Sequence, residues 1–193
     1  MSFKNLKIGY VPLSQDFTHP ADRRRFHFFC KQKNIKFEIA IFEKSYDYVI
    51  VTGLADFTLW STYRKGKIVF ELLDPYIFEK NKKIKNFLRS FGKTLLGNFK
   101  YANFNYHSLL RKMCKNSYAV ICATDSHIRT LKKFNPNIHS IPDYHGEILN
   151  ENYSKKKFSL NNKIEIFWEG YPINLLSTEF KKLIKNLKNN KKI

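Results

Sequence analysis

Short apolar runs separated by helical patterns are the feature that most constrains the fold of this 193-residue chain. The clearest run, Tyr46 to Gly53, is rich in β-branched residues and ends at a glycine, which is typical of a strand buried on both faces. Further strand-like runs are Lys7 to Leu13, Lys67 to Asp74, Ser117 to Thr124 and Ile138 to Pro142, and Lys36 to Phe42 alternates apolar and polar residues as a strand does. Because strands that alternate with helices form parallel sheets, we predict an α/β fold: a Rossmann-like parallel sheet with helices on both faces.

Helical patterns fill most of the intervals between these runs. Pro20 lies near the start of the first helix, which would place Phe26, Phe29 and Cys30 on one face. The other predicted helices are one closed by Gly66, a long basic helical region to about Asn116, and one capped by Asp125 or Ser126.

The chain changes character after residue 149. Residues 150–162 are polar and rich in turn-forming residues, which predicts a linker. The stretch "KIEIFWEGYPINLL", which begins at Lys163, then predicts a strand, a turn at Gly170 and the start of a helix. A nucleotide-binding α/β domain usually opens this way, yet a domain commonly has about 100 residues or more. We therefore expect one domain at 1–149, a linker at 150–162 and the truncated start of a second domain at 163–193.

The composition limits the kinds of binding partner and the cellular compartment that we expect for this chain. The net charge of +19 suggests phosphate-rich partners, although the excess of lysine (28) over arginine (7) is also what AT-rich coding would produce. Three widely spaced cysteines without CxxC spacing argue against a disulfide framework or a zinc site and fit a reducing cytosol; for Cys122 we expect a buried structural thiol. No secretory signal precedes Pro12 and no run approaches the roughly 20 apolar residues of a membrane span.

The candidate site follows from the predicted sheet, because ligands of parallel sheets bind outside the carboxyl ends of the strands. The groups expected there are Ser14 to Asp22, Gly53 to Asp56, Asp74 to Tyr76, Thr124 to Ser126 and Asp143 to Glu147. Arg23, Arg24 and Arg25 offer forked donors for phosphate or carboxylate. They could equally form a solvated helix face that pairs locally with Asp22.

Two further residues at this edge could take part in catalysis. Asp74, at the end of a strand, could act as a general base or accept a hydrogen bond from a sugar hydroxyl, or it could cap a turn. His145, in "PDYHGEI", could act in a cleft or at a hinge. The order Asp-x-His-x-x matches no metal motif, so we predict no metal site.

The segment Lys80 to Lys115 holds ten lysines and arginines and no acidic residue. Within it, one helical face collects six apolar residues, while Lys85, Arg89 and Lys93 lie off that face; the six are Ile84, Phe87, Leu88, Phe91, Leu95 and Leu96. A basic amphipathic helix is typical of a protein that lies in a membrane interface. The alternative is that the apolar face packs on the sheet. The pattern argues against contact with nucleic acid, because the aromatics have the spacing of a core and no recognition motif accompanies them.

Several stretches, in order, resemble a known family. They are "DRRRF", "YDYVIVTGLADFTLWSTYRKGKIVFELLDPYI", "LLRKMCKNSYAVICATDSHIRTLKKFNPNIHSIPDYHGE" and "IFWEGYPINL". Together they resemble the N-terminal half of bacterial glycosyltransferases of the GT-B fold, of the group 1 or family 4-like lineage, over Lys7 to about Leu187. Asp74 stands where many members have a histidine, and "SIPDYHGE" occupies the place of the interdomain hinge. No Asp-x-Asp pair occurs, and the family needs no bound metal.

The resemblance implies an acceptor domain at 1–149 and a donor domain that begins at 163. It implies a nucleotide-sugar substrate, no cofactor, and a cell-envelope or lipid-linked glycan as acceptor. The implied roles are catalysis by Asp74 or His145, acceptor binding by Asp16, Arg23, Arg24, Arg25 and Asp56, and donor binding by Gly170.

The basic helix adds an expected contact with an anionic membrane through Lys85, Phe87, Arg89, Phe91 and Lys93. We therefore expect a cytoplasmic protein, peripheral on the inner face of the cytoplasmic membrane, that needs its donor domain in cis or in trans and is inactive without it. The alternative is a non-catalytic Rossmann-like binding or scaffold module.

Overall fold

A computed structural model describes residues 5–73, 83–142 and 178–189 of the chain. The chain divides into two compact units, Met1–Asn150 and Glu151–Ile193. The first unit contains all the described strands and six of the described helices, and the second contributes one described helix.

Six parallel strands form the sheet of the first unit, which confirms the predicted α/β, Rossmann-like fold. The strands are β1 (Ile8–Val11), β2 (Glu38–Ile39), β3 (Tyr48–Val51), β4 (Lys67–Leu72), β5 (Ala119–Cys122) and β6 (Ile138–Ser140). Their order across the sheet is β2-β1-β3-β4-β5-β6. The helices are α1 (Pro20–Arg24), α2 (Phe26–Lys33), α3 (Phe57–Trp60), α4 (Lys83–Leu95), α5 (Tyr106–Asn116), α6 (Asp125–Leu131) and, in the second unit, α7 (Thr178–Asn189).

The central strands β3 and β5 are buried on both faces, with successive side chains pointing to opposite sides, whereas the edge strand β2 is exposed. Ile8, Tyr10 and Ile50 pack with Phe26 of α2 in one hydrophobic cluster. The neighbouring strand residues, such as Val49, pack with α3, α5 and α6 in a larger cluster on the other face. This two-sided burial explains why β3 and β5 are continuous apolar runs.

The three cysteines are free thiols in this interior. Cys122 is fully buried, as the sequence predicted. Burial raises the pKa of both Cys30 and Cys114 to about 12, because the thiolate would lose its hydration. These thiols therefore stay protonated near neutral pH.

The single first helix expected from the sequence is two helices. The helix breaks at Arg25, whose backbone (φ −119°, ψ −113°) is not helical. The Arg25 side chain is buried and reaches Glu71, so pairing of a buried charge outweighs helix continuity. Within α2, Phe29 is 45 % exposed, whereas Cys30 is buried.

Two helix ends also differ from expectation. Thr124, rather than Asp125 or Ser126, is the N-cap of α6. Asp125 lies in the first turn, where a carboxylate interacts favourably with the helix dipole. Helix α3 ends at Trp60, well before Gly66. At Gly66 a Cβ atom would lie 1.9 Å from the carbonyl oxygen of Tyr46, so only glycine fits there.

Candidate functional site

The carboxyl ends of the strands meet at one edge of the sheet, because all the described strands run parallel. Strand β1 lies between β2 and β3, so the chain crosses to one side after β1 and to the other side after β2. Sheets with this order bind ligands at such a switch point, in the crevice beyond the carboxyl ends. The loops after β1 and β3 therefore line the first place to look for a site.

The loop after β1 is held in one conformation by Asp22, which is fully buried. Its carboxylate accepts hydrogen bonds from the Tyr10 hydroxyl (2.5 Å) and from the backbone N–H groups of Leu13 and Ser14 (2.9 Å each). The Ser14 hydroxyl in turn accepts the N–H of His19 at 2.9 Å. Burial and the bond to Asp22 raise the pKa of Tyr10, so its hydroxyl remains a donor. The loop is thus preorganised from within the core.

Asp16 lies exposed in this loop. It accepts hydrogen bonds from the Thr18 hydroxyl (2.8 Å) and the Thr18 N–H (3.2 Å), and these bonds lower the pKa of Asp16. Phe17, which lies between Asp16 and Thr18, has a left-handed backbone (φ 57°), and its ring stacks on the His27 ring with centroids 4.8 Å apart. The loop therefore presents an ionised carboxylate on a rigid support.

The three consecutive arginines differ in environment. Arg23 is exposed and Arg24 half-buried, whereas Arg25 is buried. The Arg25 Nε lies 3.3 Å from Glu71 Oε1, and its Nη1 donates to the Ile141 carbonyl oxygen at 2.9 Å. Arg25 therefore ties the α1–α2 junction to β4 and to the chain just after β6. Contact of any of the three with an acceptor stays a prediction.

The loop after β3 supplies a buried hydroxyl and an open backbone position. Thr52 is 2 % exposed, and its Oγ1 has no hydrogen-bond partner among the described residues. At Gly53 a Cβ would meet no described atom nearer than the Glu71 carbonyl oxygen at 4.0 Å. Unlike Gly66, Gly53 thus leaves space beside the backbone at the switch point, as far as the described residues go.

Asp56, at the end of the same loop, caps α3. Its Oδ1 accepts from the N–H (2.9 Å) and hydroxyl of Thr58, and its Oδ2 accepts from the N–H of Lys100 at 2.7 Å. Both oxygens are thus engaged within the protein. A role for Asp56 in acceptor binding stays a prediction.

Three predicted site residues, Asp74, His145 and Gly170, lie outside the described residues. The same holds for the predicted linker at 150–162.

At the end of β5 the hydroxyls of Thr124 and Ser126 lie 2.9 Å apart. Within residues 5–73, 83–142 and 178–189, no cluster of three His, Cys, Asp or Glu side chains could hold a metal ion.

The predicted membrane-contact residues lie on α4. Phe87 and Phe91 are 41 % and 43 % exposed. Arg89 and Lys93 lie against aromatic rings: the Arg89 Cζ is 5.3 Å from the Tyr106 centroid, and the Lys93 Nζ is 5.2 Å from the same centroid. Lys85 is part of the helix, but its side chain is outside the described residues. Among the helices described, none is long and apolar enough to cross a bilayer.

Sequence reasoning missed three polar residues of this edge: Tyr10, Glu71 and Thr52. A signal existed for Glu71, because an acidic residue inside an apolar strand needs a buried cationic partner. Nothing in the sequence distinguishes Tyr10 or Thr52 from an ordinary strand residue. Their roles depend on neighbours from other segments.

Comparison with known proteins does not add a family. No protein-family model matches the chain, and neither a curated protein nor a solved structure matches it significantly.

Proposed function

We propose that this chain is the N-terminal, acceptor-binding part of a glycosyltransferase that moves a sugar from a nucleotide-sugar donor to a cell-envelope or lipid-linked glycan. The observation that supports the proposal is the switch point between β1 and β3, with a preorganised loop on one side and the open Gly53 position on the other. α/β sheets of this order bind ligands there. The nucleotide-sugar is a substrate, and the proposal invokes neither metal nor cofactor.

The residues at this edge suit a hydroxylated, phosphorylated acceptor. The Asp16 carboxylate can accept hydrogen bonds from sugar hydroxyls, since its pKa is lowered and its side chain is exposed. Arg23 and Arg24 keep guanidinium groups at or near the surface, where they can bind a phosphate. Catalysis by Asp74 or His145 and donor contact by Gly170 complete the proposal and rest on the family resemblance.

A ligand titration followed by amide NMR tests the acceptor half. The probes are a water-soluble, short-chain prenyl diphosphate sugar as acceptor mimic and UDP-glucose as donor, each added to the full chain. We expect the acceptor mimic to shift the signals of Thr18 and Gly53 saturably, and UDP-glucose to bind much more weakly.

Paired charge variants supply the control. Replacement of Arg23 and Arg24 by alanine should weaken acceptor binding about tenfold, the loss expected for one good ionic contact. The same replacement of the exposed Lys31 and Lys33 at the end of α2 removes equal charge and should change it less than about twofold. Equal losses in the two variants, or shifts confined to other parts of the chain, would contradict the proposed site.

The alternative is a non-catalytic Rossmann-like module that attaches to a membrane or pairs with a separate donor-domain chain. The exposed apolar face of α4 is the observation that favours it. If the acceptor mimic leaves Thr18 and Gly53 unmoved while the protein still binds vesicles, this alternative replaces the enzyme proposal.

A further inference from the structure

Helix α4 packs in the opposite sense to an ordinary surface helix, with its apolar face outward. Its apolar stripe consists of Ile84, Phe87, Leu88, Phe91 and Leu95, and these side chains are 77 %, 41 %, 60 %, 43 % and 71 % exposed. In a soluble domain such a stripe normally faces the core. The alternative expectation, that the stripe packs on the sheet, is therefore wrong.

The inward face of α4 is its polar one. Ser90 is fully buried. Lys93 follows Ile84 by nine residues, which places it about 180° around the helix at about 100° per residue. The Lys93 Nζ lies 5.7, 5.1 and 5.2 Å from the ring centroids of Phe57, Phe99 and Tyr106. Burial lowers the pKa of Lys93, and the nearby Arg89 charge adds to this effect.

These three buried rings form an aromatic cage for the Lys93 ammonium, with the rings of Phe99 and Tyr106 stacked at 10°. The attraction of a cation for the ring faces compensates part of the ammonium's lost hydration. The rings come from α3, from the segment before α5 and from α5 itself. Lys93 therefore anchors α4 to the domain by its polar face.

The exposed stripe continues onto the loop between α4 and α5. Phe104 is 63 % exposed and stacks on Phe87, with centroids 5.8 Å apart, and Phe87 stacks on Phe91 at the same distance. Leu96, just after the helix, is 78 % exposed. We call the stripe together with Leu96 and Phe104 the α4 patch. Contiguous exposed patches of this kind mark interaction sites.

The surrounding charge indicates what covers the α4 patch. The segment Lys80 to Lys115 carries ten basic residues and no acidic one, and the whole chain carries +19. Two copies of the chain would repel each other across this face. An anionic bilayer satisfies both features, because its acyl region accepts the apolar side chains and its headgroups attract the lysines.

We propose that the α4 patch inserts into the interface of an anionic bilayer and that Lys93, seated in its aromatic cage, is the positioning residue that turns the patch outward. This docking does not depend on the proposed transferase activity.

Vesicle co-sedimentation of the full chain tests the docking. Vesicles of phosphatidylcholine alone are compared with vesicles that contain about one third phosphatidylglycerol, at about 0.05 M and about 0.5 M NaCl. We expect binding to the anionic vesicles that weakens at high salt. Equal binding to both kinds of vesicle at both salt concentrations would overturn the anionic part of the proposal.

Phe91 and Phe29 form a matched pair, since both are phenylalanines on helices and are 43 % and 45 % exposed. We expect Phe91→Ser to lower vesicle affinity about tenfold, because one inserted ring is lost, and Phe29→Ser to lower it less than about twofold. Equal effects would refute insertion of the α4 patch. Light scattering provides a second check: a concentration-dependent dimer that Phe91→Ser abolishes would make a second copy the occupant instead.

Lys93 and the exposed Lys112 of α5 form a second pair, matched in charge. We expect the loss of vesicle affinity in Lys93→Ser to be at least about fivefold larger than the loss in Lys112→Ser. Lys93→Arg should keep the affinity of the unmodified protein, because a guanidinium can also occupy the aromatic cage. Urea unfolding of each variant separates loss of orientation from loss of fold. Equal binding by the two serine variants, with both folded, would overturn the positioning role.

Discussion

Removal of the Asp22 carboxylate, which lies in α1 and holds the loop after β1, should strongly destabilise the first unit. Asp22 is fully buried and accepts hydrogen bonds from Tyr10, Leu13 and Ser14. In Asp22→Ala the Tyr10 hydroxyl, also fully buried, loses its acceptor. The two backbone donors are only partly buried, so water can replace part of what they lose.

The expected loss follows from these environments. A buried hydrogen bond to a charged group contributes about 2–3 kcal/mol, and each partly hydrated bond about 1 kcal/mol. The sum predicts a loss of about 4–5 kcal/mol for Asp22→Ala. Tyr10→Phe, which removes the buried bond and keeps the ring, should cost about 2–3 kcal/mol. Since small domains are stable by about 5–15 kcal/mol, the alanine variant should be close to unfolding.

Urea unfolding followed by far-UV circular dichroism measures both variants. Asp125→Ala is the control, because Asp125 is an exposed aspartate in the first turn of α6 and should cost less than about 1 kcal/mol. If Asp22→Ala costs no more than Asp125→Ala, the carboxylate does not organise the loop and the reasoning is refuted. A double-mutant cycle with Tyr10→Phe should show coupling of about 1 kcal/mol or more.

Three further predictions concern the interior. Arg25→Met should cost about 3 kcal/mol because it leaves Glu71 buried without the guanidinium, and Arg25→Met with Glu71→Met should regain more than half of that loss in urea unfolding. Gly66→Ala should cost more than about 2 kcal/mol because of the 1.9 Å contact between the new Cβ and the Tyr46 carbonyl oxygen, whereas Gly92→Ala, with room for a methyl group inside α4, should stabilise the protein by up to about 1 kcal/mol; similar urea midpoints for the two variants would contradict the clash at Gly66. The Cys30 and Cys114 thiols have a pKa of about 12 in the folded protein but ionise near pH 8.5 when unfolded, so the native state binds more protons than the unfolded state between these values. The free energy of unfolding should therefore fall as pH rises from about 9 to about 11. An unchanged urea midpoint over this range would contradict the raised pKa of these thiols.

The sheet could be predicted from the sequence because its signal is local. The central strands β3 and β5 are continuous apolar runs, and a strand covered on both faces needs such a run wherever it lies in the domain. The helix break at Arg25 could not be predicted in this way. It depends on Glu71, 46 residues further along the chain, and no periodicity within the helix announces a partner at that distance.

For the candidate site, too, the sequence could predict which residues lie at the edge but not their environments. Parallel order brings the groups after each strand to one edge, so Asp16, Asp56 and the arginines could be named from the sequence. Their environments could not be predicted. Asp56 uses both carboxylate oxygens in capping α3 and binding the Lys100 N–H, and Arg25 is buried in an ion pair, because these bonds join segments that are distant in sequence.

Helix α4 shows most clearly what each level decides. The sequence by itself determined that the helix has an apolar and a basic face, because spacing along a helix depends only on its own residues. Only the tertiary structure decided which face turns inward. The rings of Phe57, Phe99 and Tyr106 assemble around the Lys93 ammonium only when the domain folds, and that contact leaves the apolar face outward.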